Sequence, residues 1–358
     1  MITGAAAVTP LGRGLAETAR ALAAGCSAIA EVPGPERENP SPAARIASFT
    51  TEPELPRARA RRMDRGSQYS VVAARQCLAD AGWEMAGREE RTGILLGTGS
   101  AGAGPLSEFE RQMADNPELA SPFLFPNTVA NAPASQTALE LKIMGPLVTL
   151  IQKDPSAFCA LFYGRMLLTD RRADALLVGA ADEWAFDYHH AYERLGVTRT
   201  ARHPGFALSE GASLVLLERE EEARARGARI RARVAAVVTR SAAVAPYERR
   251  ATPELLAAGM RAALDEAGLA PADVALVSLS ADGVPWTDAA ERDALADVFG
   301  ARPPATVALK LQLGENPSSG AAQIALAARE VSEGCGGPVL LCSMGAGGNF
   351  YWAVFEKA

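Results

Sequence analysis

Short apolar runs that end at a glycine alternate along this chain with longer segments of helical periodicity. Thr92–Leu96 and Ala175–Val178 are each followed by glycine, so each predicts a buried strand that ends in a tight loop. Helical periodicity is clearest at Leu15–Ala24 and Gln68–Ala81. A chain in which strands and helices alternate in this way is typical of the α/β class.

One unit of this pattern occurs twice. A helix ending at Gly82 leads to the strand Gly93–Leu96, and a helix ending at Gly268 leads to Val274–Leu279. Glycine suits the left-handed residue that closes many helices. Such units also recur in α/β proteins without duplication, so the pattern alone leaves both origins open. We expect residues 1–220 to form one half and residues 221–358 the other, joined through the charge-rich run Glu218–Arg233.

The composition excludes several classes of function. A chain of 358 residues with a formal net charge of -6 is a poor general ligand for nucleic acid or anionic membranes. No apolar run is long enough to span a bilayer, and the first residues lack the pattern of a signal peptide. Five cysteines without a CxxC pair favour a reducing cytoplasm. The histidines number three: His189, His190 and His203.

A series of short motifs spans nearly the whole chain: Ile2-Thr3-Gly4, Val8–Gly12, Met63-Asp64-Arg65, Gly145-Pro146, Ala173-Asp174, Glu210-Gly211-Ala212, Lys310 and Gly345–Asn349. Their residues and order resemble those of the β-ketoacyl synthase family, within the thiolase superfamily. The resemblance implies an α/β thiolase fold, in which two duplicated halves form a five-layer αβαβα sandwich. It implies no cofactor.

The family's chemistry uses one cysteine and two histidines. The cysteine thiolate at a helix N-terminus accepts the acyl chain, and the histidines stabilise charge as the malonyl unit loses carbon dioxide. Counted from Gly145-Pro146, the cysteine position is Asp154; the histidine positions are Asp282 and Glu315, while the family's lysine is retained as Lys310. We therefore predict that the chain has no catalytic residue.

A carboxylate cannot replace the thiolate, because an acylated aspartate is an anhydride and too reactive to hold a chain. Asp154 followed by Pro155 predicts instead an N-capped helix, Pro155–Leu168. Cys159 falls inside that helix and is expected in the core. Lys310 is the expected counter-charge for the three acids. A hard cation held by their oxygens is the alternative, although we predict no metal site.

The resemblance also implies a partner. Synthases of this family are dimers, and the segment matching Gly145–Gln152 lies at the dimer seam, where each acyl tunnel is closed by the neighbour. The family includes a non-catalytic subunit, the chain-length factor of type II polyketide synthases. That factor usually carries glutamine at the cysteine position, so Asp154 leaves room for a branch that makes reduced polyene or unusual acyl chains. We predict a chain-length factor that pairs with an active β-ketoacyl-ACP synthase in a heterodimer.

The resemblance places tunnel residues on a helix predicted over Asn127–Leu141. Val129, Ala132, Pro133 and Gln136 share one face of such a helix, and three of the four are small or medium apolar residues. The position of the family's gating phenylalanine matches Ala346. These residues predict an open tunnel for a longer chain, and ordinary core packing is the alternative.

Acyl carrier proteins are acidic, so they need a basic surface. One candidate surface contains Arg57, Arg59, Arg61, Arg62 and Arg65, and the Arg249-Arg250 pair is a second. Because the chain is acidic, we expect the carrier to dock mainly on the partner. Two other functions remain open: an independent decarboxylase or hydrolase with a remodelled acidic pocket, and a scaffold or homodimer without a tunnel role.

Overall fold

Strands and helices alternate along the chain as the apolar runs predict. The structure, a computed structural model, describes residues 1–32, 42–200, 203–245 and 248–358. Its helices are α1 (Leu15–Ala23), α2 (Arg57–Ala60), α3 (Arg65–Ala81), α4 (Ala103–Asp115), α5 (Ala132–Leu141), α6 (Ser156–Thr169), α7 (Phe186–Arg194), α8 (Glu220–Ala225), α9 (Pro253–Ala267), α10 (Pro285–Phe299), α11 (Lys310–Leu313) and α12 (Pro317–Glu333). Its strands are β1 (Ile2–Val8), β2 (Ile29–Glu31), β3 (Pro42–Ala44), β4 (Thr92–Gly97), β5 (Leu147–Leu150), β6 (Ala175–Asp182), β7 (Leu208–Ser209), β8 (Gly211–Glu218), β9 (Arg233–Ser241), β10 (Leu276–Ser278), β11 (Ala305–Val307), β12 (Val339–Gly345) and β13 (Asn349–Glu356).

Two five-stranded sheets have the same topology. The first has the order β1-β8-β6-β4-β5 and the second β11-β10-β12-β13-β9. Numbered along the chain within each sheet, both orders are 3-2-4-5-1, with strands 2, 3 and 4 parallel and strands 1 and 5 antiparallel to their neighbours. This match confirms the predicted duplicated α/β halves. The division at residue 220 remains a prediction.

The sheets and helices stack in five layers. Helices α3 and α5 cover the outer face of the first sheet, and α9 and α10 cover the outer face of the second. Helices α6 and α12 lie between the sheets and contact strands of both, so their side chains are largely buried. This arrangement is the thiolase fold, and it places the N-termini of α6 and α12 side by side.

The two predicted helix stops are present. Helix α3 ends at Gly82 with φ 58°, and α9 ends at Gly268 with φ 72°. Both glycines are left-handed, a conformation that costs glycine nothing and other residues about 1 kcal/mol or more. The repeated sequence unit therefore corresponds to the same local geometry in both halves.

The helix predicted over Asn127–Leu141 is shorter than expected. Residues 125–127 form a 3-10 turn, and α5 begins only at Ala132. Pro133 explains the difference, because proline has no N–H to donate to a preceding turn and is favoured in the first turn of a helix. Val129 therefore lies outside α5. No helix in the described ranges is long and apolar enough to cross a membrane.

Candidate functional site

The connection from β5 to α6 keeps the shape of a sharp elbow. Lys153 has φ 54°, a left-handed conformation that is rare for residues other than glycine. The Ser156 hydroxyl accepts a hydrogen bond from the Gln152 N–H at 2.8 Å and lies 3.0 Å from the Thr98 carbonyl oxygen. These contacts fix the backbone on both sides of Asp154, the residue that the sequence analysis assigned to the nucleophile position.

Asp154 does not cap α6, contrary to the sequence prediction. The helix begins at Ser156, and no side chain accepts a hydrogen bond from its first turn. The Asp154 carboxylate is buried and turns instead to the Arg249 guanidinium, at 2.7 Å, and to the Ala346 N–H, at 3.3 Å. A buried carboxylate is stabilised more by a charged partner than by a capping hydrogen bond to backbone N–H groups. This explains why Asp154 binds Arg249 and does not cap α6.

Asp282 stands on the connection between β10 and α10. Its Oδ2 pairs with the Arg249 guanidinium, and its Oδ1 accepts a hydrogen bond from the Val284 N–H at 3.1 Å. Two carboxylates from α10 hold this connection. Asp288 accepts from the N–H groups of residues 282 and 283, and Glu291 accepts from those of residues 280 and 281. Four backbone N–H groups of this loop are therefore bound by carboxylates of α10, which fixes the position of Asp282.

Glu315 and Lys310 form a buried pair. The Lys310 Nζ lies 2.8 Å from Glu315 Oε2, and each side chain is about 1% exposed. Burial and the negative charge of Asp154 raise the pKa of Glu315 to about 8, although Lys310 and Arg249 oppose the shift. At neutral pH Glu315 is therefore mainly protonated.

Arg249 is the residue that the sequence missed. Its side chain is 8% exposed, bridges Asp154 and Asp282, and lies over the Phe206 ring at 4.4 Å. Burial lowers the pKa of Arg249, but the surrounding carboxylates more than reverse that effect. The prediction that Arg249 and Arg250 together form a surface for the carrier protein is therefore wrong for Arg249, whose side chain is buried. Arg250 is exposed. Three acids with one lysine already indicated that a second cation was needed.

The charges of this cluster nearly cancel. Arg249 and Lys310 supply two positive charges, and Asp154 and Asp282 supply two negative ones. The third acid, Glu315, is neutral below about pH 8. The cluster thus combines the Arg249 ion pairs with a contact between Lys310 and a protonated Glu315, and its net charge is close to zero.

Two helix N-termini converge on the same cluster. Asp154 lies two residues before α6, and Glu315 lies two residues before α12. The positive end of a helix dipole favours a nearby anion. Asp182, at the end of β6, links the loop after β4 to the first turn of α12. It accepts hydrogen bonds from the Gly99 N–H at 2.7 Å and from the Ser318 N–H at 3.1 Å.

The pocket beside Asp154 is almost filled. Its walls include the aromatic side chains of Trp184, Tyr188, Tyr192 and Phe206. The space left inside holds about one water molecule. An acyl chain therefore has no room next to Asp154 in this conformation.

Cys159 lies inside α6, in the core between the sheets. Burial raises the pKa of its thiol, so it stays protonated at neutral pH and is a poor nucleophile. In the described part of the chain, no group of three or more His, Cys, Asp or Glu side chains is arranged to hold a metal ion.

The predicted tunnel residues have different environments. Val129 is 44% exposed and precedes α5, whereas Ala132 and Pro133 are buried in its first turn and Gln136 is half-buried. They do not share one helical face, because Val129 is outside the helix. Ala346 lies beside Asp154. The role of these residues in a tunnel remains a prediction.

The family assignment follows from comparison with known proteins. The family model of the β-ketoacyl synthase N-terminal domain matches residues 1–223, and that of the C-terminal domain matches residues 231–339. The chain belongs to the β-ketoacyl synthase family.

The chain is similar to a 3-oxoacyl-(acyl-carrier-protein) synthase and to solved structures of ketosynthases with chain length factors. It is 27% identical over 317 residues to 3-oxoacyl-(acyl-carrier-protein) synthase 2 of Staphylococcus aureus, covering 84% of this chain and 79% of that protein. The ishigamide ketosynthase/chain length factor has a TM-score of 0.89 at 24% identity, covering 100% of this chain and 98% of that one. A ketosynthase in complex with its chain length factor from Xenorhabdus doucetiae has a TM-score of 0.86 at 19% identity, covering 100% and 97%.

Replacing Arg249 should destabilise the fold strongly. In Arg249→Met, two buried carboxylates lose their shared cation, and leaving buried charges unpaired costs roughly 3–5 kcal/mol. The free energy of unfolding from guanidinium titration measures this. Arg250→Met is the matched control, and as an exposed substitution it should stay within about 0.5 kcal/mol of the wild type. Equal effects of the two substitutions would contradict the bridging role.

The raised pKa of Glu315 makes stability depend on pH. Between its unfolded value, near 4.5, and about 8, the folded chain holds a proton that the unfolded chain has lost, so stability falls as pH rises. Glu315→Gln has no group that titrates in this range. Its unfolding free energy, relative to that of the wild type, should therefore rise by a few kcal/mol across the range and stay constant at higher pH. Glu254→Gln, at an exposed position, is the control. A difference that does not vary with pH would show that Glu315 titrates normally.

Proposed function

We propose that this chain is the non-condensing subunit of a two-subunit β-ketoacyl synthase, in the manner of a chain-length factor. One observation carries the proposal. The three positions that match the catalytic cysteine and histidines are carboxylates that contact Arg249 or Lys310, and two of them, Asp154 and Glu315, line a nearly filled pocket. The chain therefore retains the fold of a synthase without its reactive groups.

The chemistry of condensation supports this division of labour. Thioester exchange needs a nucleophile that forms a stable acyl intermediate, which a carboxylate does not provide. Decarboxylation of the malonyl unit needs donors aimed at the developing enolate oxygen. Asp154 and Asp282 are acceptors already engaged by Arg249. The intact machinery must then come from another subunit.

The surface around β5 has the character of a subunit interface. β5 is an edge strand, because its one neighbour in the first sheet is β4. Exposed apolar side chains surround it, including Leu139 on α5, Met144, Leu147 and Ile151. An exposed edge strand flanked by apolar side chains favours pairing with another chain. It includes the segment that the family resemblance assigns to the dimer seam, which supports the proposal.

A second group of exposed apolar side chains lies between α4 and α5. Leu119, Phe123 and Phe125 are 77%, 87% and 59% exposed. Side chains of this kind are normally covered in an assembly. Val129 lies four residues after Phe125 and is also exposed, which is compatible with the proposed role at a partner's acyl tunnel. Two of the solved relatives described above carry a chain length factor in their names.

The carrier protein is proposed to dock mainly on the partner. The arginines of the first basic surface are exposed, but Arg57 and Arg59 pair with acidic neighbours and Arg65 contacts an aromatic ring. Arg61 and Arg62 form no ion pair among the described residues. Two unpaired arginines on a chain of net charge -6 give a weak site for an acidic carrier.

Pairing should depend on the β5 surface. Leu147→Asp places a charge where the partner would cover it, so association with the co-expressed synthase should weaken by on the order of a hundredfold. Co-purification and analytical ultracentrifugation of the complex measure this. Ala296→Asp, on the exposed face of α10 in the outer layer, is the control and should pair normally. Undiminished pairing of the Leu147 variant would rule out this interface.

The same preparation distinguishes the alternative functions. The chain alone should neither condense nor decarboxylate malonyl-carrier substrates, while the complex should condense them. An isolated homodimer that hydrolyses or decarboxylates an acyl carrier substrate would instead identify an independent enzyme. Its acid would then be sought at Glu315, the protonated carboxyl of the pocket.

Tunnel residues should set product length in the complex. Val129→Phe adds bulk at an exposed position, so it should shorten the products by one or more extension units without disturbing the fold. Ala132→Phe should shorten them too, but Ala132 is buried in its own subunit and the substitution also risks overpacking. Mass spectrometry of carrier-bound products measures the length, with Ala296→Phe as control. Unchanged products from both variants would place the tunnel elsewhere.

A further inference from the structure

Helix α4 has 13 residues, and none of them is buried. A helix of this length is marginal in water unless one of its faces packs against other parts of a protein. Helix α4 contacts α7 and the 3-10 turns at residues 117–119 and 125–127, and in its first turn the Gly104 N–H donates to Glu183 Oε1 at 3.0 Å. The core of its own chain therefore gives α4 little support.

One face of α4 is apolar. Leu106, Phe109 and Met113 are spaced so that they share this face, and Leu106 and Met113 are exposed. The ring of Phe109 lies 5.8 Å from that of Phe125, so the segment that follows α4 extends the same face. We define the α4 surface as Leu106, Phe109, Met113, Leu119, Phe123 and Phe125. Exposed apolar groups of this kind are typical of protein–protein contacts.

The charges around the α4 surface are mainly negative. The segment from α4 to the start of α5 contains four acids and a single arginine. Glu108 pairs with that arginine, Arg111. Glu110, Asp115 and Glu118 are exposed and form no ion pair among the described residues. Asp115 also ends α4, where the helix dipole disfavours a negative charge, so it does not stabilise the helix.

These acids favour a different subunit over a second copy of the chain. Two copies related by a twofold axis place the same surface on both sides of their interface, so the α4 surface would meet its own acids. Like charges brought together across an interface weaken association, whereas lysines and arginines opposite the acids strengthen it. Arg111 cannot supply that charge, because it is already paired.

Contacts within the chain connect the α4 surface to the edge strand β5. Helix α4 contacts residues 125–127, which lead into α5, and α5 contacts β5. Leu139, on α5, is one of the exposed apolar residues beside that strand. A subunit that covers β5 is therefore the candidate for covering α4 as well.

We infer that the α4 surface selects the partner subunit by charge. It docks in an apolar groove of the partner synthase that is bordered by lysines and arginines, and Glu110, Asp115 and Glu118 oppose pairing with a second copy of this chain. The inference rests on the proposed function and specifies the surface that the partner must offer.

Neutralising the three acids tests the inference on the full chain and on its complex with the co-expressed synthase. In Glu110→Gln/Asp115→Asn/Glu118→Gln, affinity for the synthase at low salt should fall about tenfold, as the loss of three exposed ion pairs would give. The difference from the wild type should shrink as the NaCl concentration rises, because salt screens exposed charges. Analytical ultracentrifugation of the isolated variant should show tighter self-association than that of the isolated wild type.

The matched control carries the same change in net charge on the outer layer of the second sheet. Glu254→Gln/Asp265→Asn/Asp293→Asn, at exposed positions of α9 and α10, should bind the synthase and self-associate as the wild type does. If the wild-type complex forms and the α4 variant matches it at every salt concentration, charge selection is wrong while the proposed function stands. If the wild type forms no complex, the proposed function fails and the inference fails with it.

Two further outcomes concern the occupant of the α4 surface. Backbone amides of α4 should exchange hydrogen about tenfold more slowly in the complex than in the isolated chain, since docking suppresses local opening. Amides of α9 should exchange equally in both. Unchanged exchange in α4 would show that the partner does not cover it and would overturn the inference. Self-association of the isolated wild type that weakens as salt rises would identify a second copy as the cationic partner and would also overturn it.

Discussion

The burial of α6 and α12 between two sheets is the constraint on which the rest of this structure depends. Both helices need small side chains where they pack against the sheets. At Gly164 of α6, for example, a Cβ atom would lie 2.9 Å from the Val178 side chain on β6. Because the helices run through the centre together, their first turns emerge at the same place. Asp154 and Glu315 meet there because of this packing, although they are far apart in sequence.

The same packing explains why charged residues can occupy a buried centre. Isolated acids at this depth would be costly, since each loses its hydration. Here two helix N-termini and two cations compensate, and the third acid keeps its proton. The centre between the two helix N-termini thus holds a network with a net charge close to zero. Changing one acid back to a reactive group would still leave Arg249 and the other acids in place.

Much of this could be predicted from the sequence. Alternating apolar runs predicted the α/β class, and the order of the motifs predicted the thiolase fold; the assignment of Asp154, Asp282 and Glu315 to the catalytic positions stays a prediction. Arg249 could not be placed, because its partners come from distant segments and local sequence showed only two adjacent arginines after a glutamate. The prediction that Asp154 caps α6 was wrong for the same reason. A cap depends on residues that are close in sequence, whereas Asp154 contacts Arg249, which is distant in sequence. The start of α5 could have been predicted from Pro133. The family resemblance instead led to a longer helix that began at Asn127.

The duplicated topology gives the molecule two equivalent sheet edges, β5 and β11, but they are not equally able to accept another strand. β11 has three residues, its exposed positions carry Ala305 and Thr306, and it is preceded by Pro303 and Pro304, which have no N–H to donate. β5 by contrast is bordered by large exposed apolar side chains. Strand addition through β5 therefore cannot be repeated at the other end of the molecule. On the pairing proposed above, assembly would stop at two subunits, whereas a chain with two open edges could polymerise into filaments.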